Sequence, residues 1–127
     1  MEKKKILIVD DEISFTDMVK LNLEASGHYT VIVESRGTQA LSTALVHKPH
    51  LILLDVIMPD KEGPDVVQEL RRHERVRNIP VVFLTATVTE EEVKAQQGNI
   101  GGHTFLAKPG TVRELVACIE REIALVT

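Results

Sequence analysis

Several things are scarce in this chain of 127 residues, and each shortage closes off a class of explanation. There is one cysteine, Cys118, so no internal disulfide can form, which fits a reducing compartment. No apolar run approaches the roughly 20 residues that a membrane-spanning helix needs. The charged start, Met1-Glu2-Lys3-Lys4-Lys5, is followed by Ile6 to Val9, a run far too short for the core of a signal peptide. Positive charge is outnumbered: 15 Lys and Arg against 19 Asp and Glu leave a net charge of −4, a poor match for nucleic acid. The basic run Arg71, Arg72, Arg75 and Arg77 reads as a solvated face, and His28, His47, His50, His73 and His103 lack metal-ligand spacing. Repeats, linkers and low-complexity tracts are missing. The expectation is one domain over residues 1–127, cytoplasmic, with no membrane insertion and no direct contact to nucleic acid.

What is present is organised around Leu51-Ile52-Leu53-Leu54-Asp55. Its apolar residues run without alternation, the pattern of a strand buried on both faces of a parallel sheet. Pro49 and His50 precede the run, and Pro59 stops it. Ile6-Leu7-Ile8-Val9 is a second such run and ends in Asp10-Asp11-Glu12. Pro80-Val81-Val82-Phe83-Leu84-Thr85 is a third, and Thr104-Phe105-Leu106-Ala107, leading to Lys108-Pro109, is the last. Tyr29 to Val33 alternates loosely and reads as a strand nearer an edge. Helical patterns lie between the strands. Ser14, with Asp17 behind it, is the candidate N-cap of the first, and Gly27 its stop. Gly37 to His47 and the stretch after Gly63-Pro64 make two more. Thr89 with Glu92 opens a weak helix interrupted by Gly98. Thr111 with Glu114 opens the most amphipathic one, with Leu115, Ile119 and Ile123 on one side. Strand and helix alternate five times. That order predicts an α/β fold: a doubly wound parallel sheet, helices on both faces, right-handed crossovers.

In such sheets ligands bind outside the carboxyl ends of the strands, where the strand order reverses. The residues at those ends are Asp10, Asp11, Asp55, Thr85 and Lys108. Carboxylates so placed repel: two unit charges about 4 Å apart cost roughly 4 kcal/mol at an effective dielectric of 20. A divalent cation removes the conflict, and oxygen ligands without His or Cys favour Mg2+, or Mn2+, over zinc. Lys108 suits the anionic oxygens of a phosphoryl group, and Thr85 offers another a hydrogen bond. Asp55 can then act as a nucleophile that forms an acyl phosphate. Singly, each residue has a plainer reading. An acid after a strand is most often a helix cap, Thr85 a strand end, Lys108 a surface amine and Cys118 a packing residue. Their joint placement at successive strand ends is what points to chemistry.

The set Asp10-Asp11, Asp55 with Met58-Pro59 and Gly63, Thr85-Ala86 and Lys108-Pro109 resembles the receiver domain of two-component response regulators, over essentially the whole chain. The resemblance implies a flavodoxin-like (βα)5 fold with a five-stranded parallel sheet in the order 2-1-3-4-5. It implies that Asp55 accepts a phosphoryl group from a histidine kinase or a histidine phosphotransfer protein. Asp10, Asp11, Asp55 and the backbone carbonyl of Ile57 would hold Mg2+. Thr85 would swing toward the phosphoryl group, and Phe105 would rotate inward with it. Lys108 would pair with the new charge, beside a cis Lys108–Pro109 bond. The fourth helix, last strand and last helix would report the change to a downstream protein or an appended output domain, for which these residues leave no room. Gly101-Gly102 departs from the family's usual pattern, and so do Gln96, Gln97 and Gly98, from which the fourth helix is expected to be short or mobile. An apolar Ile57 cannot orient an attacking water, so self-dephosphorylation is expected to be slow. Such a protein promotes its own phosphorylation without being a turnover enzyme.

Three other readings compete. An aspartyl-nucleophile phosphatase needs a second carboxylate two residues after the nucleophile, where Ile57 stands. A flavin- or nucleotide-binding domain needs a Gly-, Ser- or Thr-rich phosphate loop after the first strand, where Asp10-Asp11-Glu12 would repel phosphate. A receiver-like interaction module that is never phosphorylated has no need of the complete residue set.

Overall fold

The structure is a computed structural model and describes residues 3–86, 99–100, 103–108 and 111–125. Its strands are β1 (Lys4–Val9), β2 (Tyr29–Glu34), β3 (Leu51–Asp55), β4 (Val81–Thr85), β5 (Asn99–Ile100) and β6 (His103–Ala107). They form one sheet in the order β2-β1-β3-β4-β6-β5. All neighbours are parallel except β5, which pairs antiparallel with β6. Counted alone, the five parallel strands stand in the order 2-1-3-4-5 that the resemblance implies. The sheet therefore has one strand more than expected, and β5 is only two residues long, too short for any periodicity to announce it. The helices are α1 (Ile13–Ala25), α2 (Ala40–His47), α3 (Gly63–Arg72) and α4 (Val112–Ala124), with a 3-10 turn at Gly37–Gln39 leading into α2. The weak helix expected from Thr89 and Glu92, the Gly101-Gly102 pair and Pro109 with its expected cis bond lie outside the described residues.

The central strands send alternate residues into two cores, which is why their sequences show no polar alternation. Ile6, Ile8, Leu53 and Leu84 pack with Val19 and Leu23 of α1 and with Leu115, Cys118 and Ile119 of α4. Leu7, Val9, Leu54 and Phe83 pack with Ala40 and Ala44 of α2 and with Val66, Val67 and Leu70 of α3. A slip of one residue in any strand would exchange the two sets, so the pairing Ile8↔Leu53 and Leu53↔Val82 is specified by packing on both sides. Cys118 is a packing residue, and burial pushes its thiol pKa up.

The helix ends follow local chemistry, with one correction. Thr111 caps α4, its hydroxyl accepting the Glu114 N–H at 3.1 Å. Gly27, at φ +81°, follows α1 in the left-handed conformation that suits glycine. Ser14 is not the N-cap of α1. The helix starts at Ile13 behind Glu12, because Asp10 Oδ1 accepts the Glu12 N–H at 2.9 Å and turns the chain into the helix early. At the sheet's open side, Val31 of β2 donates its N–H to Glu24 Oε2 at 3.0 Å. Its carbonyl accepts from Lys20 Nζ at 2.8 Å. Among the described residues, no helix is long and apolar enough to cross a membrane.

Candidate functional site

β1 leads out to β2 on one side and β3 lies on its other side, so the strand order reverses between β1 and β3. The residues that leave β1 and finish β3 are Asp10 and Asp55. Asp10 is fully buried and Asp55 is 7% exposed. Asp11 joins them from an exposed position: one carboxylate oxygen from each of Asp10, Asp11 and Asp55 lies within 4.8 Å of the others.

The loop after Asp55 is folded back tightly. Gly63 donates its N–H to the Val56 carbonyl at 2.8 Å. A Cβ at Gly63 would stand 2.6 Å from the Asp55 carbonyl oxygen and 3.0 Å from Val56 Cα, so no larger residue fits without moving the Asp55 backbone. A second anchor comes from Asp60. Its Oδ1 accepts the Gly37 N–H at 3.2 Å, and its Oδ2 accepts the Thr38 N–H and hydroxyl at 2.9 Å. These bonds hold the Asp60 carboxyl below the usual carboxylate range, and they tie the acid-bearing loop to the start of α2.

Lys108 enters from the end of β6. Its N–H donates to the Thr85 carbonyl at 2.8 Å, extending the β4–β6 ladder by one bond and fixing the direction of the side chain. Its Nζ lies 2.8 Å from Asp10 Oδ2, 3.2 Å from Glu12 Oε1 and 3.9 Å from Asp55 Oδ2. The same ammonium stands 4.7 Å from the centre of the Phe15 ring. Burial pulls the Lys108 pKa down, but the hydrogen bond to Asp10 and the charges of Asp10 and Asp55 outweigh it and leave it raised. Asp55 goes the other way. Burial, then the charge of Asp10, push its carboxyl up to about 6, against the pull of Lys108 and of a hydrogen bond from the Ile57 backbone. One ammonium does not neutralise three carboxylates. The donor set is all oxygen, with two of its three acids buried, and it fits a hard divalent cation.

The residues singled out in the sequence are thus largely brought together. Asp10, Asp11, Asp55 and Lys108 share the crevice, and Thr85 is buried at the end of β4, its carbonyl bonded to the Lys108 N–H. Ile57 follows with its side chain 58% exposed. Phe105 stands apart, its ring tilted 32° against that of Phe83 at 5.1 Å between ring centres, beside the core of α2 and α3. Glu12, Phe15 and Asp60 were not anticipated. Glu12 was visible as a third acid after Asp10-Asp11; Phe15 and Asp60 left no local signal.

A sequence model described as the response regulator receiver domain matches residues 6–120. The chain belongs to this family. This receiver domain is 40% identical over 117 residues to the alkaline phosphatase synthesis transcriptional regulatory protein PhoP of Bacillus subtilis (strain 168), covering 92% of the chain and 47% of that protein. The chain spans about half the length of the curated relatives it matches. Its fold is similar to the Vibrio cholerae chemotaxis protein CheY4, with a TM-score of 0.80 at 31% identity, covering 95% of this chain and 99% of that one. It is also similar to the receiver domain of sensor histidine kinase PA1611 from Pseudomonas aeruginosa PAO1, with a TM-score of 0.80 at 27% identity, covering 97% and 99%. That structure carries a magnesium ion coordinated in its active site cleft.

Proposed function

We propose that this receiver domain is a phosphorylation switch of a two-component system in which Asp55 is the phosphoacceptor. The observation that carries the reading is the crowding of Asp55: its oxygens stand among those of two further acids, with the Lys108 ammonium 3.9 Å away. Asp10, Asp11, Asp55 and the backbone carbonyl of Ile57 would hold Mg2+, which supplies positive charge against the acids and the incoming phosphoryl oxygens.

A carboxylate oxygen of Asp55 attacks the phosphorus as the bond to the donor breaks, leaving an acyl phosphate on Asp55. The donor is a phosphohistidine of a histidine kinase or of a histidine phosphotransfer protein, and its imidazole leaves with the bonding pair. Lys108 moves to the new phosphoryl oxygens and holds their charge. Thr85, at the same strand end, donates to another. Its shift frees room beside β6, into which Phe105 turns. That bias between two arrangements is what a downstream protein, or an output domain joined to this one, reads. The chain promotes its own phosphorylation and slow dephosphorylation, works in the cytoplasm and is not a turnover enzyme. Ile57 argues against a phosphatase, since it supplies no second carboxylate.

The test is incubation with a small phosphodonor and Mg2+, followed by intact mass. The expected result is the gain of one phosphoryl group, absent in Asp55→Asn; no gain in the unsubstituted chain would leave the unphosphorylated interaction module as the better reading. With donor removed, the phosphorylated form should persist for minutes or longer, because the exposed Ile57 offers no group to orient water. A lifetime of seconds would count against that role of Ile57.

A further inference from the structure

The first turn of α1 holds more of Lys108 than phosphoryl transfer requires. Glu12 occupies the N-cap position of α1, yet its side chain caps nothing. Glutamate is not among the residues preferred there, which are Asp, Asn, Ser and Thr. Its carboxylate instead reaches across to Lys108 Nζ at 3.2 Å. Phe15, in the same turn, lies beneath that ammonium at 4.7 Å. With Asp10 Oδ2 at 2.8 Å they form a seat of three contacts, and Asp55 stands outside it at 3.9 Å. A phosphoryl group on Asp55 has to draw the ammonium out of this seat. Asp10 is fully buried and keeps its hold, whereas the Glu12 side chain is 57% exposed and returns to water at little cost. Glu12 also faces an open pocket with Ser14, Met18 and Ala86, so nothing packed obstructs its release.

We propose that Glu12 is a positioning residue that competes with Asp55 for the Lys108 ammonium and so slows phosphoryl uptake. The inference rests on Asp55 being the phosphoacceptor. Glu12 acts by contact, so its reach matters as well as its charge.

The wild-type chain, Glu12→Gln and Glu12→Asp are each given phosphoramidate and Mg2+, and uptake is followed by intact mass. Gln keeps the length and removes the charge. Asp keeps the charge, is one methylene shorter, and is a good N-cap, so it turns back onto the helix start. Both variants should take up the phosphoryl group about threefold faster than wild type, the size that an exposed ion pair of ordinary strength permits. Mg2+ affinity measured without phosphodonor should match wild type in Glu12→Asp, Glu12→Gln should melt like wild type, and Glu12→Asp should melt no lower. A faster rate in Glu12→Gln alone would assign the effect to charge at a distance and overturn the proposal. Unchanged or slower uptake in both variants, with wild type phosphorylated, would overturn it equally. No mass gain in any of the three sinks the Asp55 reading itself, and this inference with it.

Discussion

At the carboxyl end of the sheet, Asp10 and Asp55 are buried within a few ångströms of each other, and Asp11 completes the group. At the amino end, Lys3, Lys5, His47, Lys48 and His50 surround a shallow hollow, and every one of them is exposed. The amino-end charges spend themselves on backbone: Lys5 Nζ donates to the His47 carbonyl at 3.3 Å, and His50 Nδ1 accepts the Lys5 N–H at 2.9 Å. Those contacts bind the start of β1 to the segment before β3 and leave no conflict. At the other end, burial and proximity drive the Asp55 carboxyl to about 6. Charge density alone does not separate the two ends. Desolvation does, because a group removed from water answers to its neighbours instead of the solvent.

The largest test of this contrast is Lys108→Met. It removes the one cation that, among the described residues, contacts buried Asp10, and should cost about 3 kcal/mol of stability near neutral pH, measured by denaturant melting. Mg2+ should restore part of the loss, and equal losses with and without Mg2+ would erase the distinction. Next comes Asp55→Asn. The folded Asp55 pKa, raised from 3.8 to about 6, means that the native state holds a proton which the unfolded chain releases earlier. Stability from this group is therefore present below about pH 4 and lost as pH rises through about 6. Asp55→Asn should accordingly stabilise the metal-free protein by on the order of 2 kcal/mol near pH 8 and by little near pH 4. A gain independent of pH would break the argument. The smallest effect belongs to the amino end. Lys48 closes α2 at φ 48°, its N–H on the Ala44 carbonyl at 2.8 Å. Lys48→Gly relieves that left-handed backbone and should gain about 0.5–1 kcal/mol in a thermal melt, with no change in phosphoryl uptake.

The strand ends were legible because buried parallel strands announce themselves as unbroken apolar runs, and whatever follows such a run must stand at the rim. Asp10, Asp55, Thr85 and Lys108 were found on that ground alone. The start of α1 was misplaced because the deciding bond, Asp10 Oδ1 to the Glu12 N–H, draws on a side chain that local preference assigns to no helix. Asp60 was missed for a different reason. Its partners Gly37 and Thr38 lie more than twenty residues away, and only the packing of the β3–α3 loop on the start of α2 brings them together. Glu12 was seen as charge and not as a contact, since the reach of a side chain to a lysine 96 positions on is a property of the closed sheet.

The pair of α1 side chains on Val31 has a consequence for the molecule in company. An unpaired border strand is a template onto which another chain can add itself. With Glu24 and Lys20 occupying the amide and carbonyl that Val31 would offer, a newcomer has to displace both before forming a rung at Val31. Crowded copies thereby meet an interruption in the middle of β2, and the guard consists of two ordinary charged residues one helical turn apart.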